Sequence, residues 1–96
     1  MAKDIQTESR RLAILQLLQR DPDYSINDQL LQQLLAAQGH GVGIAVVRAD
    51  LAWLEQLGLV ATNDLPGCTV ALLRSEGVDV AIGVSVVPGI ARPRPE

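Results

Sequence analysis

His40 and Cys68 are the chain's only histidine and only cysteine, and they are its only candidates for soft metal ligation or for a nucleophile–base pair. A thiol beside an imidazole becomes catalytic when a third group orients the pair and a loop of backbone amides receives the oxyanion. No such group or loop is recognisable in this sequence. A metal centre asks for several Cys, His or carboxylate ligands on facing elements. One ligand in a turn and one on a strand do not supply it. Asp21, Asp23 and Asp28 crowd a single turn but lack the spacing and the terminal glutamate of a calcium loop, so they read as turn and capping residues. The expectation is a protein that is not an enzyme and that carries no metal and no cofactor.

The chemistry left is that of arginine and of apolar surface. Arg48 falls near the middle of a helix-like stretch. It can touch phosphate or a guanine edge, where a bidentate contact is worth ~1–3 kcal/mol of discrimination. The same residue can also be a solvated cation paired with a nearby acid. Arg92 and Arg94 lie in a proline-containing tail that could follow a nucleic-acid groove or wrap a second subunit. Arg10 and Arg11, expected on the outer side of the first helix, and Arg20 near its end could extend a discontinuous phosphate-contacting face. Asn63 belongs to a turn-rich stretch that would contact DNA backbone. Val42, Ile44, Trp53, Val86 and Ile90 are the candidates for a dimer or partner contact, because residues 41–47 and 84–90 leave apolar surface over and tryptophan is enriched at interfaces.

These residues need elements to position them. Thr7 can cap a first helix that carries Leu12, Leu15 and Leu18 on one stripe, with Ile14 and Leu17 beside it. Asp21 precedes Pro22 and is pushed out of the helical region, so the helix ends near Arg20. Asn27 caps a second helix with Leu30, Leu31, Leu34 and Leu35 on its buried face, and Ile26 can staple its start. Gly39 ends it. Gly39-His40-Gly41 is then a short glycine-containing turn between two amphipathic helices, the pattern of a helix-turn-helix. The third helix spans residues 42–57, with Val47, Leu51, Leu54 and Leu57 on one stripe, and Gly58 stops it.

Residues 59–62 and 68–73 read as two strands joined by the turn-rich residues 63–67. This is a β-hairpin, the wing. Residues 74–82 read as a short fourth helix, with Ser75 as a possible cap and Gly77 as a local cost of up to about 1 kcal/mol. Pro88, Pro93 and Pro95 disfavour a helix in the tail, which reads as an extended arm. The predicted fold is mainly α with a small β-hairpin: a winged helix-turn-helix domain over residues 1–83 and an extended C-terminal arm over residues 84–96.

The 96 residues make one small domain. Hydrophobic residues are 48% of the chain, yet Phe is absent and Trp53 and Tyr24 are the only aromatics, so the core must be aliphatic. The formal net charge of −3 argues against a protein that coats nucleic acid through an excess of Lys and Arg, and leaves room for a local basic face. With one cysteine no intrachain disulfide can form, and no apolar run approaches the ~20 residues of a membrane helix. The amino terminus lacks an apolar signal region. The expected location is the cytoplasm, with no membrane partner.

The segments RLAILQLL, DPDYSIND, RADLAWLEQLGLV and VPGIARP, in this order, resemble a family of small proteins encoded by Mu-like phages and prophages. The resemblance spans residues 11–93. It implies a winged-helix fold, a bacterial host cytoplasm and a regulator often labelled as of the ArsR type. In that family the third helix opens with a capping serine and charged residues before an RxDLAWL run. Here the run is intact from Arg48 to Leu54, but the opening holds Gly43, Ile44 and Ala45. Two functions follow as expectations. One is a homodimeric regulator of transcription that binds double-stranded DNA. The other is a winged-helix interaction module for a phage protein, in assembly or packaging, that does not read DNA.

Overall fold

The computed structural model of the chain describes residues 4–94. Its elements run α1 (Ile5–Arg20), β1 (Ser25–Asn27), α2 (Asp28–Ala37), α3 (Ile44–Gln56), β2 (Val60–Leu65), β3 (Cys68–Leu73) and α4 (Ser75–Ala81). The strands form one antiparallel sheet in the order β1-β3-β2. The arrangement is a winged helix: α2 and α3 make the helix-turn-helix and the β2–β3 hairpin is the wing.

The helix starts differ from the simplest reading. Asp4, not Thr7, caps α1, accepting from the Thr7 backbone N–H and hydroxyl. Asn27 caps α2 as expected, its side chain accepting from the Leu30 N–H at 2.8 Å. α3 begins at Ile44, two residues later than the apolar run suggests, and Gly43 gives it no side-chain cap. Ser75 is the first residue of α4 and leaves that helix without a side-chain cap.

A third strand was not legible. Asp21 leaves the helix with extended geometry, and its carboxylate accepts from the backbone N–H groups of Asp23 and Ser25. Tyr24 then takes a left-handed φ of 56°, which turns the chain so that Ser25, Ile26 and Asn27 pair with Leu72, Ala71 and Val70. The wing is longer than expected because Leu65 pairs with Cys68, leaving Pro66-Gly67 as a two-residue turn. Gly67 has φ +84°, the geometry that a turn with proline first and glycine second requires.

The core is aliphatic throughout. Leu12, Ile14, Leu15 and Leu18 of α1 meet Leu31 and Leu35 of α2, Val47, Leu51 and Leu54 of α3, and Ile26, Val60, Ala71 and Leu73 of the sheet. Leu57, expected on the buried stripe, is exposed where α3 ends. Gly77 has a packing reason: a Cβ there would lie 2.2 Å from the Leu59 carbonyl oxygen, so α4 docks at a distance only glycine allows.

The arm carries no helix or strand among the described residues and lies back along α1. Gly83 reverses the chain at φ +88°. The Ala91 N–H then donates to the Glu8 carbonyl at 3.1 Å, and Ile90 is buried in the domain core. Among the described residues, no helix is long and apolar enough to cross a membrane.

Candidate nucleic-acid interface

The helix-turn-helix is fixed from both ends of its turn. Gly39 takes φ +87°, and the His40 N–H donates to the Leu35 carbonyl at 2.8 Å. The Gln32 side chain donates to the Val42 carbonyl at 3.0 Å, tying the turn to α2. α3 then buries Val47, Asp50, Leu51 and Leu54. Its outward face holds Ala45, Val46, Arg48, Ala49, Ala52, Glu55 and Gln56, all exposed.

Arg48 is on that face, with its side chain 48% exposed, and its Nε donates at 2.7 Å to Oδ2 of Asp28, which is fully buried. Asp28 is the first residue of α2, so the pair spans the two helices of the motif. Burial pushes the Asp28 carboxyl up. That is the largest single effect, but the Arg48 hydrogen bond and charge together with backbone hydrogen bonds from Thr69 and Gln29 outweigh it, and the group stays below the ordinary carboxylate value. Asp28 Oδ1 has no hydrogen-bond partner among the described residues. The wing is tied to the same helix end by the Gln29 side chain, which donates to the Gly67 carbonyl at 3.0 Å.

Arg10 and Arg11 are not on an outer basic face. Both turn inward to Asp50, whose side chain is 4% exposed. Arg10 donates from Nε and Nη2 at 2.5 and 3.3 Å, and Arg11 from Nε at 3.4 Å. The hydrogen bond to Asp50 raises the Arg10 value above that of a free arginine, against the opposing effect of burial. An unpaired carboxylate at this depth would be costly, so the helix-facing arginines are drawn in to neutralise it.

The remaining predicted residues divide between places. Asn63 lies within β2 opposite Val70, exposed but short of the wing tip. Arg92 and Arg94 line an open groove of about 850 Å³ between the arm and α1, together with Arg20 and Glu8. No residue of α3 lines that groove, so these arginines are not gathered beside Arg48. Trp53 is half-buried, with the Arg11 guanidinium 3.9 Å above its ring and Gly89 against its edge. Ile90, expected at a dimer contact, is only 5% exposed because the arm folds it into its own subunit. Val42 and Ile44 are half-buried and Val86 is 59% exposed, which leaves Val86 the freest of the expected contact residues.

Asp28 and Asp50 are the functional-site residues that periodicity alone would have found. Asp50 shares the inward stripe with Val47 and Leu54, and Asp28 shares one with Leu31 and Leu35. An acid on a buried stripe needs a cationic partner.

Four helices, two of them joined by a glycine-containing turn, and a three-stranded sheet ending in a wing define a winged helix-turn-helix protein. A chain in the complex structure of hsRosR-S4 has the same fold: TM-score 0.63 over 75% of this chain at 22% identity. The present chain spans 62% of that one, less than two thirds. The particular relationship is to a phage: the chain belongs to the family of gp26 of Escherichia phage Mu, with 45% identity over 95 residues, 99% of this chain and 98% of gp26. A Haemophilus influenzae protein is 32% identical over 63 residues, 66% of this chain and 61% of that protein. No family model matches the chain.

Proposed function

We propose that the protein is a phage-encoded, non-enzymatic winged-helix protein that binds double-stranded DNA in the host cytoplasm and regulates transcription. The observation that carries this reading is Arg48: a half-exposed guanidinium on the outward face of α3, held in place from the start of α2. The wing tip is tied to that same helix end, which supports reading α3 and the wing as one surface. α3 enters the major groove, Asn63 and the wing lie toward the backbone, and Arg92 and Arg94 add phosphate contacts from the arm. A regulator of the ArsR type is the finer form of this reading. It is supported by the fold, and one cysteine with one histidine favours a version that does not sense metal.

The regulator works as a homodimer in this reading. Ile82 is exposed where α4 ends, Val84 and Val86 are exposed in the arm, and Ile5 is exposed at the start of α1. A light-scattering mass equal to one 10.3 kDa subunit at micromolar concentration would overturn the dimer.

The test is a mobility-shift survey of duplex fragments tiling a Mu-like phage genome at low salt. Binding should weaken steeply as salt rises, as counterion release requires, and should weaken on Arg48→Ala. Failure to shift any fragment at low salt would sink the DNA reading.

A second reading is favoured by the other residues on the α3 face. Ala45, Val46, Ala49 and Ala52 are exposed and apolar, and the chain is net negative. In this reading the domain is an interaction module that binds another phage protein in assembly or packaging. A pull-down from infected cells that recovers DNA and no protein partner would count heavily against it.

A further inference from the structure

We propose that Asp28 is a positioning residue for Arg48, and that the pair restricts the protein to reading a guanine edge with the outer end of the guanidinium. The inference rests on the DNA-binding reading above and adds to it the base recognised and the residue that enforces the choice.

The donors decide the geometry. A guanidinium offers five N–H groups in a fixed planar fork. The Nε–H of Arg48 is committed to Asp28 Oδ2 at 2.7 Å, and its Nη1 and Nη2 donate to no other described residue. Side-on recognition, which uses Nε with one Nη, is therefore closed. End-on recognition through Nη1 and Nη2 remains, and it requires two acceptors side by side. In the major groove guanine supplies that pair as O6 and N7, whereas adenine sets a donor beside its N7.

Two further features make a base the target instead of a phosphate. Asp28 is fully buried at the first turn of α2, so the carboxylate that orients Arg48 cannot swing with it. The neighbours of Arg48 on the same helical face, Ala45 three residues before and Ala52 four residues after, are exposed and small, as is the adjacent Ala49. Arg48 thus projects beyond its surroundings, and the short side chains let the helix sink toward the groove floor. A free arginine would follow the nearest phosphate. A buttressed one is spared part of the entropy of ordering and accepts only acceptors at a fixed place.

In vitro selection from a randomised duplex library, run with the wild-type protein, Asp28→Asn, Arg48→Lys and Arg48→Ala, tests this. Wild type should select sites with one dominant guanine per α3. Its preference there should be roughly 5- to 150-fold, the range of a bidentate guanine contact. Arg48→Ala and Arg48→Lys should abolish that preference and leave the other positions intact. Asp28→Asn should cut it to a fewfold while binding to unselected DNA holds or rises, since a negative charge has gone. A purely structural role for Asp28 would instead weaken binding to all sequences together.

Retention of the guanine preference by Asp28→Asn or by Arg48→Lys would overturn the inference and leave DNA binding standing. So would an Arg48-dependent position that is not guanine. Absence of any selected sequence with wild type would sink the DNA reading itself. If Asp28→Asn does not fold, the wild-type protein carries the test: the Arg48 Nε–H should give a slowly exchanging NMR resonance without DNA, and a rapidly exchanging one would overturn the inference.

Discussion

Asp50 and Arg10 lie 40 residues apart in the chain and meet in a buried, two-pronged ion pair between α3 and α1. Arg11 reaches the same carboxylate, then covers Trp53 and donates from Nη1 to the Gly89 carbonyl at 3.1 Å. One acid thus gathers the back of α3, the start of α1 and the arm. The charged contacts that organise this domain face inward: α3 carries Arg48 on its outer face and Asp50 on its inner one, where it answers two arginines of α1.

Removing Asp50 alone leaves Arg10 and Arg11 with an uncompensated charge in the interior. Asp50→Ala should cost about 3–5 kcal/mol, the usual penalty for breaking a buried pair from one side. Denaturant unfolding followed by circular dichroism measures it. The double change Arg10→Met with Asp50→Leu should recover most of the loss. A single-variant loss below about 1 kcal/mol would mean that water reaches the pair.

The arm is docked through a glycine. A Cβ at Gly89 would sit 2.8 Å from the Trp53 ring, and its φ of +93° disfavours any side chain. Gly89→Ala should lift the arm, destabilise by about 1–3 kcal/mol and shift the emission of the sole tryptophan to the red. Unchanged emission would show that the arm does not cover Trp53.

Gly77 makes a closer approach still, and its neighbour is the Leu59 backbone, which cannot rotate away. Gly77→Ala should therefore lose the gain of up to about 1 kcal/mol that a glycine-to-alanine change usually brings a helix and destabilise on the scale of an overpacked core, about 1–3 kcal/mol. A neutral or stabilised variant in thermal melts would contradict the docking of α4 at that distance.

The Asp28 carboxyl has its value lowered in the folded protein, so its stabilisation is complete above the unfolded-state value of about 3.9. It is lost as pH falls from there through the lower folded-state value. Asp4, whose value is lowered by its hydrogen bonds to Thr7, contributes in the same window. Comparing wild type with Asp28→Asn isolates Asp28: the variant should lose less stability between pH 5 and pH 2, roughly the range over which such groups titrate. Parallel curves for the two proteins would show that Asp28 does not carry this dependence.

Much of the architecture was legible because it follows from periodicity and punctuation. The leucine stripes placed the helices, Asn27 and Gly39 bounded the second, and Gly58 ended the third. β1 was hidden because a three-residue strand has almost no alternation to read, and it forms only through the left-handed Tyr24 and a partner far along the chain. Arg10 and Arg11 were misplaced because charged residues are by default outward, and only the partner on another helix reverses that. Arg48 was found on the right face. Its tie to Asp28 was beyond local reading, since helix spacing relates residues within one element and this contact crosses two.

β1 precedes α2 in sequence yet pairs with β3, which follows α3 and β2. The helix-turn-helix therefore lies inside a long loop that this pairing closes. Closing such a loop costs chain entropy before any contact rewards it, and non-local pairing slows folding. The consequence is cooperativity. A fragment ending after α3 lacks the strand that β1 needs, so α3 cannot be cut out as an autonomous unit and is secure only once the chain has returned to its own beginning.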